Sequence, residues 1–398
     1  MKKLLCVVLA ALMALSMAVV ASAESEATDY SIAVVTGTIS QSVDERGAAM
    51  ALQAKYGEDV VKLATYPDNF TEEKETTIQT IVNFADDPSI KAIVVCQAVP
   101  GTAEAFRQVK ERRDDIVCIA GESQEDWDLI ADAADLLVMN DMVARGYLII
   151  KMAKDLGCDT FVHISFPRHL GIESLSRRLA VMKAAGKELG VEVVEETAAD
   201  PLSDVGIPGA QAYILEHAPE WIEKYGQNSA YFCTNDAHTD PLIKQLLEYG
   251  GYFINADLPS PLMGYPGALG IEFSDSEMSD ADYLLETVEK AIVEKGGAGR
   301  FGLWKYGWTY SLVSALGEHA LAVVSGDSEV DDIDDLSDAF GIASPGAEWN
   351  GAYFTDVNTG VKVENYIMMY QDTYIMGDPG YYVGSTDVEV PEEYFSVK

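Results

Sequence analysis

Ten short apolar, β-branched runs punctuate the chain, most of them separated by an amphipathic stretch of helix length. The first five are Ser31–Val35, Val60–Thr65, Ala92–Cys96, Ile116–Ala120 and Leu136–Met139. A second series follows at Thr160–Ser165, Val191–Glu195, Ala230–Cys233, Tyr252–Asn255 and Leu269–Phe273. Runs that are apolar on both faces and joined by helices predict parallel strands covered by helices on each side. The expected class is therefore α/β with two Rossmann-like lobes, and ligand-binding loops belong at the carboxyl ends of the strands.

Those strand ends are polar. The first run ends in Thr36-Gly37-Thr38-Ile39-Ser40-Gln41, and Ser42-Val43-Asp44-Glu45 has the capping-box form that opens a helix through Tyr56. The next ends carry Tyr66-Pro67-Asp68-Asn69, Gln97, Gly121-Glu122-Ser123 and Asn140-Asp141, the last able to cap a helix over Met142–Leu156. In the second series they carry Phe166-Pro167-Arg168-His169, Thr234-Asn235-Asp236 and Ala256-Asp257. A helix interrupted at Pro219 is predicted between Val191–Glu195 and Ala230–Cys233. Beyond Arg300 the pattern changes: a helical stretch from Trp304 to Val324, an acidic loop at Asp331–Asp335, and a Gly/Tyr/Asp-rich tail with a hairpin signal at Asn358-Thr359-Gly360.

The start of the chain reads as an export signal. Lys2 and Lys3 precede a small and aliphatic run from Leu4 to Val20, which ends in Ala21-Ser22-Ala23. An uncut anchor is the alternative. No cysteine follows the small residues, so a lipid anchor is not expected, and the mature chain of 375 residues suits two lobes. The destination is periplasmic or extracellular.

The formal charge of −38 falls to −40 once the two lysines of the leader are removed. A surface this acidic repels phosphate backbones and anionic headgroups, which argues against nucleic-acid binding. Cys96, Cys118, Cys158 and Cys233 read as thiols, three of them in apolar strand runs, with one disulfide as the alternative. Histidine and cysteine spacing fits no zinc pattern, the acidic stretches at Asp331–Asp338 and Asp356–Gly360 lack a complete calcium-loop register, and no cofactor is expected. No nucleophile elbow, P-loop or dinucleotide fingerprint occurs.

With the strand ends placed, residues 30–257 resemble the type I periplasmic-binding-protein fold, close in order to the ribose-binding-like proteins. Within that superfamily the chain looks most like an uncharacterised domain-of-unknown-function family of exported proteins. The resemblance implies a small polar solute held between two lobes joined by three crossovers. Carried over, it implies ligand contacts from Ser40, Gln41, Gln97 and Glu122 in the first lobe, and from Arg168, His169, one of the pair Arg177-Arg178 with Arg177 put forward, Asn235, Asp236 and Asp257 in the second. The implied division is a signal at 1–23, lobe one at 24–141, lobe two at 142–257, a return to lobe one at 258–330, and an extension packing on the lobes at 331–398.

Arg168 and His169 form a positive, planar donor set that invites a carboxylate or phosphate, with a salt bridge to neighbouring acids as the alternative. The expected function is a non-enzymatic, monomeric solute receptor serving a membrane permease or sensor. The competing class is a hydrolase or other enzyme using Arg168, His169 and Glu122 in the same cleft. A transcription regulator of this fold is disfavoured by the export signal and by the lack of an N-terminal helix-turn-helix segment.

Overall fold

The computed structural model describes residues 30–397 except 275, 276, 279 and 385–388; the expected signal segment lies outside the described residues. Strands and helices alternate at first as the pattern predicts: β1 (Ser31–Thr36), α1 (Val43–Tyr56), β2 (Val61–Thr65), α2 (Lys74–Val82), β3 (Ile90–Cys96), α3 (Thr102–Arg112), β4 (Val117–Gly121), α4 (Trp127–Ala133) and β5 (Leu136–Asn140). The second series runs α5 (Met142–Asp155), β6 (Thr160–Ser165), α6 (Pro167–Leu170), α7 (Glu173–Leu189), β7 (Glu192–Thr197), α8 (Gly206–Tyr225), β8 (Ser229–Cys233), α9 (Thr239–Tyr249), α10 (Tyr265–Leu269), α11 (Ala281–Glu294) and β9 (Gly302–Leu303). The remainder comprises α12 (Trp308–Ser325), α13 (Ile333–Ala343), β10 (Trp349–Thr355), β11 (Lys362–Gln371), β12 (Thr373–Ile375) and β13 (Tyr381–Val383).

The first lobe is a seven-stranded sheet in the order β10-β11-β5-β4-β3-β1-β2, parallel except where β10 runs against β11. Every residue of β1 is buried, as a central strand covered on both faces demands. One face packs on α2, α3 and α4 through Ile81, Phe106 and Ile130; the other packs on α1 and α12 through Leu52, Leu312 and Leu316. In the second lobe β7-β6-β8 pair in parallel. Edge strand β7 carries three glutamates, Glu192, Glu195 and Glu196, whose charge blunts an exposed edge. The second-lobe core joins Ile164, Ile214, Tyr231, Leu242, Val288 and Phe301.

Several expectations change. Leu269–Phe273 is not a strand: left-handed Gly264 and Gly270 bracket the short helix α10, whose first turn takes Pro266, and Leu269 packs on the second-lobe core. Tyr252–Asn255 makes only isolated bridges. Helix α8 runs through Pro219 without interruption, and α12 begins at Trp308, leaving Trp304 before it and fully buried. The acidic loop is an N-terminus: Asp332 accepts from the amides of Asp334 and Asp335 and opens α13. All four described cysteines are buried thiols.

The tail does not simply pack on the lobes. β11 pairs in parallel with β5, so residues 349–371 complete the first-lobe sheet. Residues 281–303 pack in the second-lobe core, and 308–325 cover the first-lobe sheet, so the chain recrosses between Leu303 and Trp308. Its third passage, at Gln371–Thr373, links β11 to β12, which pairs with β9.

Gly302 sits where these passages meet. A Cβ there would lie 2.3 Å from the Ile254 carbonyl oxygen and 2.9 Å from the side chains of Ile375 and Thr373. Backbone cannot yield as a flexible side chain can. Gly302→Ala is expected to cost about 1–3 kcal/mol, read as a lowered thermal midpoint; an unchanged midpoint would show that the junction is loosely packed.

Candidate functional site

Both sheets change winding direction at a definite place, and α/β sheets bind ligands just outside such points. In the first lobe it lies between β1 and β3, in the second between β6 and β8. Gln97 ends the first-lobe pair; Ser165 and Thr234 end the second, their hydroxyls 2.7 Å apart.

Among the described residues, two that are not glycine adopt positive φ, Gln97 at 58° and Glu122 at 47°, and they terminate adjacent strands β3 and β4. Such backbone costs roughly 1–3 kcal/mol per residue, so surrounding bonds must hold it. Gln97 Nε2 donates to Glu45 Oε2 at 2.7 Å, and buried Glu45 also accepts from the Gly37 amide at 2.7 Å. Glu122 Oε2 accepts from Trp308 Nε1 at 2.7 Å and from the Asn140 amide at 3.2 Å. Burial raises both carboxyls above the usual range.

The opposing side is built on two buried arginines. Arg145, on α5, donates to the carbonyls of Ala256 and Asp257 at 2.8 and 3.0 Å and to Asn140 Oδ1 at 3.2 Å, and its guanidinium lies 5.0 Å from the centre of the Trp304 ring. Burial and neighbouring Arg178 pull it down to about 9. Arg178, on α7, pairs with Asp257 at 2.5 Å and lies over the Phe232 ring at 4.7 Å. Asp236 faces Asp257 electrostatically; burial first, then that like charge, pushes it up to about 7. Asp141 caps α5 through the Ala144 amide at 2.8 Å, and burial raises it to about 7.

This network leaves five buried polar atoms without hydrogen-bond partners: Asn140 Nδ2, Asp141 Oδ2, Arg145 Nε, Arg178 Nε and Asp236 Oδ1. A buried polar group without a partner costs about 1–3 kcal/mol, and these five lie together where the two lobes meet.

The expected contacts divide. Glu122, Asp236 and Asp257 enter this network and His169 stands beside it, whereas Gln97 belongs to a separate cluster with Glu45, Gly37 and Tyr66. The His169 ring stacks on Phe166 at 4.2 Å with Nδ1 3.2 Å from the Thr234 hydroxyl, and burial lowers its pKa. Arg168 is exposed and bound bidentately to Asp200, both bonds 2.8 Å, which is the salt-bridge alternative. Arg177 turns to the tail and donates to the carbonyls of Phe395 and Val397 at 2.7 and 3.1 Å. Ser40 and Gln41 bond Asp68 in an exposed loop, at 2.9 and 2.8 Å. Asn235 Oδ1 accepts from the Ala237 amide at 3.0 Å as a cap.

Sequence reading passed over Arg145 and, of the adjacent pair Arg177-Arg178, put forward the one that turns to the tail. A signal existed for both buried arginines. Arg145 interrupts an otherwise apolar run, Val143 to Ile150, and Arg178 shares the i, i+4, i+7 face of buried Met182 and Ala185.

A family model described as "Protein of unknown function (DUF3798)" matches residues 30–302. The chain belongs to the DUF3798 family. Two uncharacterised proteins of Treponema pallidum (strain Nichols) are similar to this family member at 39% identity. One match spans 54% of this chain and 97% of that protein, the other 44% and 81%. Among solved structures, a candidate transcriptional regulator from Clostridium difficile 630 superposes with TM-score 0.80 at 23% identity, over 87% of this chain and 99% of that one. A sugar ABC transporter protein from Actinomyces odontolyticus ATCC 17982 gives TM-score 0.52 at 13% identity, over 77% and 88%. These likenesses establish a type I periplasmic-binding fold for this DUF3798 member.

Asp236 gives the site a pH signature. Its folded carboxyl holds a proton up to about pH 7, whereas the unfolded chain loses it near 3.8, so its contribution to stability falls as pH rises between those values. Asp236→Asn removes that loss. The melting midpoint of the variant minus that of the native protein is expected to grow from pH 4.5 to pH 8 in calorimetric scans; a constant difference would mean that Asp236 ionises normally.

Proposed function

We propose that this protein is an exported receptor that captures a small polar solute between its lobes and presents it to a membrane permease or sensor. The observation that carries the reading is the set of buried, unpartnered donors and acceptors brought together from β5, α5, α7 and the end of β8. Supply of the missing bonds by a solute would give the site both affinity and selectivity, because desolvated polar groups reject a guest that leaves them unpaired. The two-lobed fold supports the same reading, and the export signal in the sequence supports a destination beyond the cytoplasmic membrane. No described helix is long and apolar enough to cross a membrane. The solved structure named a candidate regulator shares the fold alone.

Native mass spectrometry of the mature protein, purified without denaturation, tests this directly. The expected spectrum shows a monomer carrying a small solute that unfolding releases. Asp236→Ala should weaken rebinding of that solute by about 3- to 10-fold, the loss of one hydrogen bond. Arg168→Ala should leave it unchanged, since Asp200 already occupies that guanidinium. A protein that carries no solute, and whose melting midpoint no small molecule raises, would end the receptor reading.

A further inference from the structure

A cavity of about 450 Å³ lies beside the second crossover, outside the arginine cluster. It is bounded by the first turn of α1 at Asp44, by Ser260 and Leu262 after the second-lobe strands, by Asp280 and Asp282 at the start of α11, and by Lys305, Tyr306 and Tyr310. Its walls thus come from both lobes and from the passage between them. The volume falls within the range of small-molecule sites.

The chemistry of the lining is one-sided. Three carboxylates face one ammonium, and that ammonium is already spent: Lys305 Nζ is 2.6 Å from Asp282 Oδ1. Asp280 caps α11 through the Tyr283 amide at 3.0 Å. Asp44 differs from both. Among the described residues its carboxylate has no hydrogen-bond or ion-pair partner, although burial raises its pKa. Gly307 keeps the approach open: a side chain there would stand 3.5 Å from Ser260 and 3.6 Å from Asp44 Oδ2. The same cavity is lined by Tyr306, whose ring Lys305 Nζ already approaches at 5.1 Å, by Tyr310, and by Leu262, Met278 and Leu284, surfaces suited to an aliphatic stem and, at Tyr310, to cation–π attraction.

We infer that this cavity binds a small organic cation, an amine whose ammonium pairs with Asp44 while its stem lies along Tyr306, Tyr310 and Leu262. The inference goes beyond the receptor reading, since it gives the chain a second binding site, outside the arginine cluster. An anion meets three carboxylates and a lysine already paired; a cation relieves the buried charge of Asp44. The net charge of −38 acts at longer range in the same direction, raising the local concentration of cations and repelling anions.

The test uses the full mature chain, freed of any co-purified solute, in thermal-shift and calorimetric titrations. The probes are choline, 1,4-diaminobutane and agmatine, set against D-ribose, D-glucose and inorganic phosphate. At least one amine is expected to bind and raise the midpoint, and added salt should weaken it. Asp44→Asn should weaken that amine by at least about tenfold, whereas Lys305→Met, which removes the cavity's positive charge, should tighten it. Melts of both variants without ligand check folding, and the opposite signs cannot arise from a shared loss of structure. Binding of a sugar or phosphate with no response to amines would overturn the cation assignment and leave the receptor reading standing. Amine binding that Asp44→Asn does not change would overturn the placement in this cavity. Silence of all six probes, with no solute in the native spectrum, would remove both.

Discussion

The arrangement of the cleft depends on a buried ion pair that the fold cannot easily do without. Arg178 is fully buried, and Asp257 balances its charge at 2.5 Å; Arg145, also buried, is held by the carbonyls of Ala256 and Asp257. Removing one partner of such a pair strands a charge in low dielectric, at a cost of about 3–5 kcal/mol. Three distant stretches of chain are therefore tied together: α5, just past the first crossover, α7, and the loop after the second-lobe strands. Asp236 then meets a second carboxylate nearby, and the like charge of Asp257 adds to the rise that burial already causes. The pair stabilises one geometry and, by the same bonds, orients the groups that remain unpaired.

How much of this the sequence disclosed follows from which forces are local. β1 to β6 and β8 are apolar runs bounded by turn residues, with ends recognisable to within about two positions, because burial on both faces leaves a continuous signal. The capping of α1 by Ser42 and of α5 by Asp141 was equally plain, since caps are read from neighbours in sequence. β11 could not be placed, because its partner β5 lies more than 200 residues earlier and nothing in Lys362–Gln371 names it. Leu269–Phe273 misled for a different reason: a short apolar run fits helix and strand alike, and the left-handed glycines beside it decide.

The candidate site divided along the same line. Glu122, Asp236 and Asp257 were found because strand ends can be counted. Arg145 was passed over because it lies within a helix, where a charged residue is ordinarily taken for a solvated face, and for the same reason the pair Arg177-Arg178 gave no ground for preferring its buried member. Arg168 misled because a basic residue at a strand end has two uses, and only the position of Asp200, 32 residues away, chooses between them. Arg177 and Arg178 are adjacent in sequence and point about 100° apart on a helix, which sends one to the tail and the other to the core.

Each wall of the cleft keeps its own bonds, and this bears on how the lobes could close on a guest. Glu122 is held by Trp308 and the Asn140 amide, on elements that cover or end the first-lobe sheet. Arg178 and Asp257 are paired within the second lobe. Between the two walls run the attraction of Glu122 for Arg145, which acts through space, and one hydrogen bond, from Arg145 to Asn140 Oδ1 at 3.2 Å. The crossovers are also bonded to their neighbours: Asn255 donates to Thr373 at 2.7 Å, and Gln371 meets the backbone of Tyr306 at 3.4–3.5 Å. A hinge movement about these passages would therefore separate two preformed walls without dismantling either, so little ordering would be charged against binding. The strained backbone at Gln97 and Glu122 fits that economy, since its cost is met by Glu45 and Trp308 before any solute arrives.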